Sequence, residues 1–271
     1  MAAQEAERPP NDQGGQRPAA KARAQLLASE CSDITPFLRA TEPGVLKAVV
    51  GNPGFGEREA LYLLNRKDLP STVIEELANQ RTVASSHAVK LALTRHPKTP
   101  LRTALEQLKF LYLFDLVSVC LQTGVRAEVK RASEELVLAQ VPKLAVGQRI
   151  TLAKRGSARL AASLLKGENL QIIQAVLDNP YLTEAVLLPV LNKPNCSPSI
   201  VETIAIHPKW GLRYDIRLAL LRHSSLSIAR ALAILPGLKP QDAKAISQDP
   251  AVIPEIRKYL SNRLSGCKSE V

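Results

Sequence analysis

Aromatic residues are scarce in this chain: they make up 4% of its 271 residues, with a single tryptophan. Sandwiches and barrels lean on aromatic and β-branched side chains, so the shortage points to close-packed helices with a core of Leu, Ile, Val and Ala. Cysteine is scarce as well. Cys31, Cys120, Cys196 and Cys267 lie far apart and form no CxxC pair. That argues against a close-spaced zinc motif and a dense disulfide framework, and fits a reducing, cytoplasmic compartment. Long apolar runs are missing too. The greasiest segment, FLYLFDLVSVCLQ from Phe110, is interrupted by Asp115 and falls short of the roughly 18 apolar residues of a membrane span.

Motifs that carry chemistry are equally thin. Ser157 follows a glycine in KRGSARL but lacks the G-x-S-x-G elbow and its strand. Gly51, Gly54 and Gly56 in GNPGFGERE lack the spacing of a dinucleotide loop, and no β-run precedes them. That stretch reads as a tight turn between helices. His96, His207 and His223 share one position of a repeat described below. Equivalent positions on successive helices lie a helix diameter or more apart, too far for ring nitrogens to meet one ion at about 2 Å. They are expected to face the open carbonyls of helix C-termini, and His87 falls outside the pattern. The expectation is a protein that is not an enzyme and holds no cofactor and no metal.

The N-terminal stretch MAAQEAERPPNDQGGQRPAAKARAQ is polar and of mixed charge, with no apolar signal core. It cannot bury enough surface to offset its ordering entropy, so residues 1–30 are expected to form a disordered tail. The rest of the chain is repetitive. LALTRHPKTPLRTALEQL from Leu91, QAVLDNPYLTEAVLLPVL from Gln174 and ETIAIHPKWGLRYDIRLAL from Glu202 say nearly the same thing. Looser copies begin at Ala48, Tyr62, Ile150, Leu188, Leu218 and Lys244. Each is an apolar helix end, a polar residue usually followed by proline, a short turn and a new amphipathic helix.

Proline lacks an N–H and forces the preceding residue into extended backbone, so each helix must stop there. Asn52, His96, Asn179, Lys193, His207 or Asp249 fills the slot before it. New helices start on recognisable signals: Thr99 before Pro100 and Ser197 before Pro198 as N-caps, and Thr72 with Glu75 at capping-box spacing. Leu101, Leu105 and Leu108 give one apolar stripe per helix. Short helices of this kind bury their stripes only by stacking, which predicts an all-α fold, a right-handed α-solenoid over residues 31–264. The unequal steps between joints predict irregular repeats. From 109 to 148 the joint disappears, marking a sub-boundary, with two plain helices broken at Gly124.

The joints in RHPKTPLRTAL, DNPYLTEAVL and IHPKWGLRYDIRLAL resemble those of bacterial leucine-rich-repeat-variant and HEAT-like proteins, over roughly residues 45–260. The resemblance implies a scaffold for macromolecules and leaves the partner open. Leucine-rich-repeat variants are associated with a cysteine-ligated iron–sulfur cluster ahead of the repeats. Here Cys31 is the one cysteine in that region, so the cluster is not carried over.

Charge is the most informative surface feature, at a formal +11. From Ser85 to Arg159 there are 13 Lys and Arg against 5 Asp and Glu. Arg95, Lys98 and Arg102 flank one joint, Lys154, Arg155 and Arg159 a second, and Lys209, Arg213 and Arg217 a third. Stacked repeats would set them in a column able to attract phosphates or an acidic protein segment; the same residues would also simply solubilise an aliphatic array. Trp210, between Lys209 and Arg213, is either an exposed stacking platform or a plug in the core. With Asp215 it also bears a thin resemblance to HEAT-like alkylpurine DNA glycosylases. The expected role is binding or scaffolding of another protein, with nucleic acid as the alternative and no membrane association.

Overall fold

The computed structural model describes residues 24–25, 27–166, 169–193 and 196–266. Most of the expected tail, residues 1–23 and 26, lies outside the described residues, as does Cys267. Residues 27–30 are helical, and Ala28 is buried in the core. Among the described residues there are 17 α-helices and no strand. None of them is long and apolar enough to cross a membrane.

The chain divides into two compact units, Met1–Ser133 and Glu134–Val271. The first holds a 3-10 turn, Thr35–Arg39, then α1 Pro43–Val50, α2 Glu57–Leu64, α3 Ser71–Asn79, α4 Arg81–Ala84, α5 His87–Arg95, α6 Leu101–Leu108 and α7 Leu113–Leu121. The division falls within α8, Ala127–Gln140, in the stretch where the repeated joint disappears. The second unit holds α9 Val146–Arg155, α10 Ala158–Leu164, α11 Leu170–Leu177, α12 Glu184–Leu191, α13 Pro198–Ile206, α14 Tyr214–Leu221, α15 Ile228–Ile234, α16 Pro240–Gln248 and α17 Pro254–Gly266.

Short helices dominate because prolines punctuate them. α1, α5, α11, α13 and α16 stop two or three residues ahead of Pro53, Pro97, Pro180, Pro208 and Pro250. A helix of eight residues is unstable alone, so each depends on its neighbours. In the first unit α1 packs on α3, α3 on α5, and α5 on α7; in the second α9 packs on α11, α11 on α13, α10 on α12, and α12 on α14. Consecutive helices also pack on each other, most extensively α5 on α6 and α16 on α17. The buried faces are almost wholly aliphatic: Val73, Ile74 and Leu77 in α3, Ile172, Ile173 and Val176 in α11. Each such side chain contributes about 1.5–3 kcal/mol by leaving water.

Helix starts follow the expected signals only in part. Ser197 is the N-cap of α13 with Pro198 first in the helix, though its side chain makes no capping bond. α6 is instead preceded by Pro100 as N-cap, while the Thr99 hydroxyl donates to the Leu93 carbonyl at 2.6 Å. Thr72 lies inside α3, whose N-cap is Pro70, so the Thr72–Glu75 capping box does not form. Capping side chains appear where the spacing gave no warning: Asn169 accepts the Gln171 and Ile172 N–H groups ahead of α11 at 3.0 and 3.2 Å. Gly124, after α7, has φ +87°, a left-handed conformation that suits glycine.

Gly211 shows how tightly a joint is folded. A Cβ there would sit 2.5 Å from the Ala205 carbonyl oxygen and 3.1 Å from that of His207. Gly211→Ala is therefore expected to destabilise the protein by about 1–3 kcal/mol through forced backbone movement, measurable as a lowered urea midpoint by circular dichroism.

Candidate functional site

The residues before the joint prolines are the first candidates, and they share one geometry. Asn52 donates its amide to the carbonyls of Ala28, Ser29 and Cys31 at 3.0–3.1 Å, while its oxygen accepts the Gly54 N–H at 2.7 Å. Asn179, completely buried, donates to Ala153 at 2.5 Å and Gly156 at 3.0 Å and accepts from Tyr181 at 2.7 Å. One end of the side chain closes the local turn. The other reaches back over 20 residues to the C-terminal carbonyls of an earlier helix, groups that no helix can satisfy internally.

The histidines do the same with a ring. The Lys98 N–H donates to His96 Nδ1, which leaves the proton on Nε2, and that nitrogen donates to the Arg66 carbonyl at 2.9 Å. His207 accepts from Lys209 in the same way, and its Nε2 faces Asp178 at 3.3 Å. His223 donates to the Leu191 carbonyl at the end of α12. Asp249 closes its own turn by accepting from Ala251 and takes Arg222 across the gap at 3.1 Å. Arg66 plays the part for the 3-10 turn, donating to Leu38 and Ala40 at 2.6 and 2.9 Å. Its third partner, Asp68, has its carboxyl held below the usual range by that guanidinium. No group of three or more possible metal ligands forms among the described residues.

Trp210 takes the second of the two roles open to it from the sequence. It is 2% exposed and donates its indole N–H to the Leu177 carbonyl at 2.8 Å, at the end of α11. It plugs the core, as the second of its two expected roles required, and offers no stacking platform. Lys209 covers the ring, its ammonium 4.3 Å from the centroid.

The basic residues split three ways. Arg95, Lys98 and Arg102 belong to the first unit, and the remaining candidates to the second. Several are engaged: Arg95 with the Ser118 hydroxyl at 2.5 Å, Lys98 with the Asp68 carbonyl at 3.1 Å, Arg217 with the Gly211 carbonyl at 3.0 Å. Arg102, Arg159 and Arg213 form ion pairs with Glu106, Glu134 and Glu184. The Arg102 side chain is 91% exposed, so its pair contributes little to stability. Lys154 and Arg155 are exposed and make no ion pair among the described residues.

The chain matches no known family. Comparison with protein-family models, with curated proteins and with solved structures finds no match to any of them.

Three surface features lay outside the sequence pattern. His87 bonds Asp115 at 2.7 Å and stacks on Tyr112 at 4.2 Å, beside Phe110 under the Lys90 ammonium. Tyr112 is 70% exposed and Phe110 58%. A groove of about 280 Å³ in the second unit is lined by Ile206, Leu212, Arg217 and Arg230 among others, and Ile206 and Leu212 are both well exposed. A larger cleft, about 920 Å³, lies within the first unit between the 3-10 turn, α2 and α5. The alternation FLYLF was the available signal for the aromatics; neither cleft had one, because its walls come from segments far apart in the chain.

Proposed function

We propose that this is a non-enzymatic, cytoplasmic scaffold, an α-solenoid of irregular HEAT-like repeats that holds a partner protein. The packing of α9 on α11, α11 on α13, α10 on α12 and α12 on α14 supports the solenoid reading, as do joint side chains that tie one repeat to an earlier one. The observation that carries the function is the second unit's groove. Ile206 and Leu212 are exposed and line it together with Arg217 and Arg230. Large apolar side chains gathered in one concave place mark interaction surfaces, whereas scattered ones do not. The groove suits an apolar side chain of a partner with carboxylates beside it.

The state of the cations also favours a protein partner over nucleic acid. Stacking by Trp210 is precluded by its burial, and Arg159 and Arg213 are already paired. Lys154 and Arg155 are the residues on which a phosphate-binding reading would rest. Two experiments separate the readings. In a pull-down at moderate salt, a partner should be retained by wild type and by Lys154→Glu/Arg155→Glu, and lost with Ile206→Glu/Leu212→Glu. In a mobility-shift assay at low salt, duplex and single-stranded DNA should not be retarded. Retardation that disappears in Lys154→Glu/Arg155→Glu and weakens steeply with salt would move the assignment to nucleic acid.

A further inference from the structure

The large cleft of the first unit has no part in the scaffold reading, and its lining is of one sign. Arg39 comes from the end of the 3-10 turn, Arg58 from α2, Lys67 from the loop after it and Arg95 from the end of α5. Arg39, Arg58 and Lys67 are exposed and form no ion pair among the described residues. The Arg95 Nε is buried without a hydrogen-bond partner, although the same guanidinium reaches Ser118. Among the described residues Glu59 is the single carboxylate lining the cleft, and its oxygen accepts the Gly56 N–H at the start of α2. Four cations thus converge on one concavity with one engaged acid against them. Such an arrangement repels itself when empty and focuses field on an anion.

The floor differs from the rim. Leu38, Leu61, Leu64 and Leu91 form an apolar base. Tyr62, at the wall, presents nearly half of its surface to solvent. The cleft's volume of about 920 Å³ falls within the range of roughly 300–1,000 Å³ for small-molecule sites, which combine an apolar lining with a few directed polar groups. A single carboxylate would leave most of the cations uncompensated, whereas a chain of phosphates would not. Guanidinium groups also match phosphate in bidentate geometry. We propose that this cleft binds a small organic polyphosphate of the nucleoside triphosphate class. The phosphates lie among Arg39, Arg58, Lys67 and Arg95, and the base rests against Tyr62 and the leucine floor.

The test is isothermal titration of the full chain with ATP at low salt, with adenosine and inorganic tripolyphosphate as separate arms. ATP should bind, adenosine should not, and tripolyphosphate should bind more weakly than ATP because it leaves the floor empty. Arg39→Glu/Arg58→Glu should weaken ATP at least ~tenfold, and Arg39→Gln/Arg58→Gln less severely, since reversal adds repulsion to the lost attraction. Both positions are exposed, and an unchanged circular dichroism melt would show that the variants fold. Lys154→Glu/Arg155→Glu, which removes the same charge from the other unit, should leave ATP binding unchanged. The proposal is overturned if neither ATP nor tripolyphosphate binds at low salt. It is equally overturned if tripolyphosphate equals ATP, or if the two double reversals have the same effect.

Discussion

Trp210→Ala is expected to cost about 3–5 kcal/mol, the range for emptying a buried aromatic site. The ring is almost fully enclosed, and its N–H serves the Leu177 carbonyl at 2.8 Å. Truncation therefore leaves a cavity and an orphaned acceptor together. Trp210→Phe fills much of the space but provides no donor, and should cost about 1–3 kcal/mol for the unsatisfied carbonyl together with residual void. Because the chain has one tryptophan, the indole emission disappears with the mutation, and urea unfolding is best followed by circular dichroism. An alanine variant within about 1 kcal/mol of wild type would show that the indole fills no necessary space.

Asn179 should be nearly as intolerant. It is fully buried with three hydrogen bonds: two donated to the Ala153 and Gly156 carbonyls, one accepted from Tyr181. Asn179→Ala strands three backbone groups where water enters poorly, an expected loss of about 2–4 kcal/mol. Asn179→Asp keeps the shape and reverses the logic. Its ionised form would point an oxygen at two carbonyl oxygens, so the folded state raises the carboxyl's pKa above the roughly 3.9 of an unfolded aspartate. A raised folded value means the variant is closest to wild type below the unfolded pKa. Stability is then lost as pH rises through the folded one. Urea titrations of both proteins across acidic to neutral pH should show the gap widening with pH; a constant gap would mean that the asparagine's donors are unimportant.

The helix stops were legible because proline and the residue before it act locally. Helices do stop one or two residues ahead of Asn52, His96, Asn179, His207 and Asp249. That joint histidines would seek helix-end carbonyls was also foreseeable, since those groups are always in want of donors. Which helix supplies them was not. His96 reaches the Arg66 carbonyl 30 residues back, not the end of its own helix, and such pairing depends on stacking that one strand of sequence does not display. The helix start was legible at Ser197, although its side chain makes no capping bond, and misleading at Thr72, where α3 begins two residues earlier than such a cap would place it, on Ser71 with Pro70 as N-cap. Trp210 was ambiguous in principle: a turn position argued for exposure and an indole for burial, and the Leu177 carbonyl decided between them. The basic triplets flank the joints in sequence. Their pairing with Glu134 and Glu184 was hidden, because those acids lie about 25–30 residues upstream.

The backward reach of the joints has a consequence for synthesis. Asn179, His96 and His223 serve carbonyls 23–32 residues nearer the N-terminus. At the usual elongation rate of about 5–20 residues per second, a finished helix end waits on the order of 1–6 s for the residue that will seal it. The nascent chain thus always carries one raw terminus, closed when the following joint leaves the ribosome, and translation pauses placed just before those joints would prolong its vulnerability.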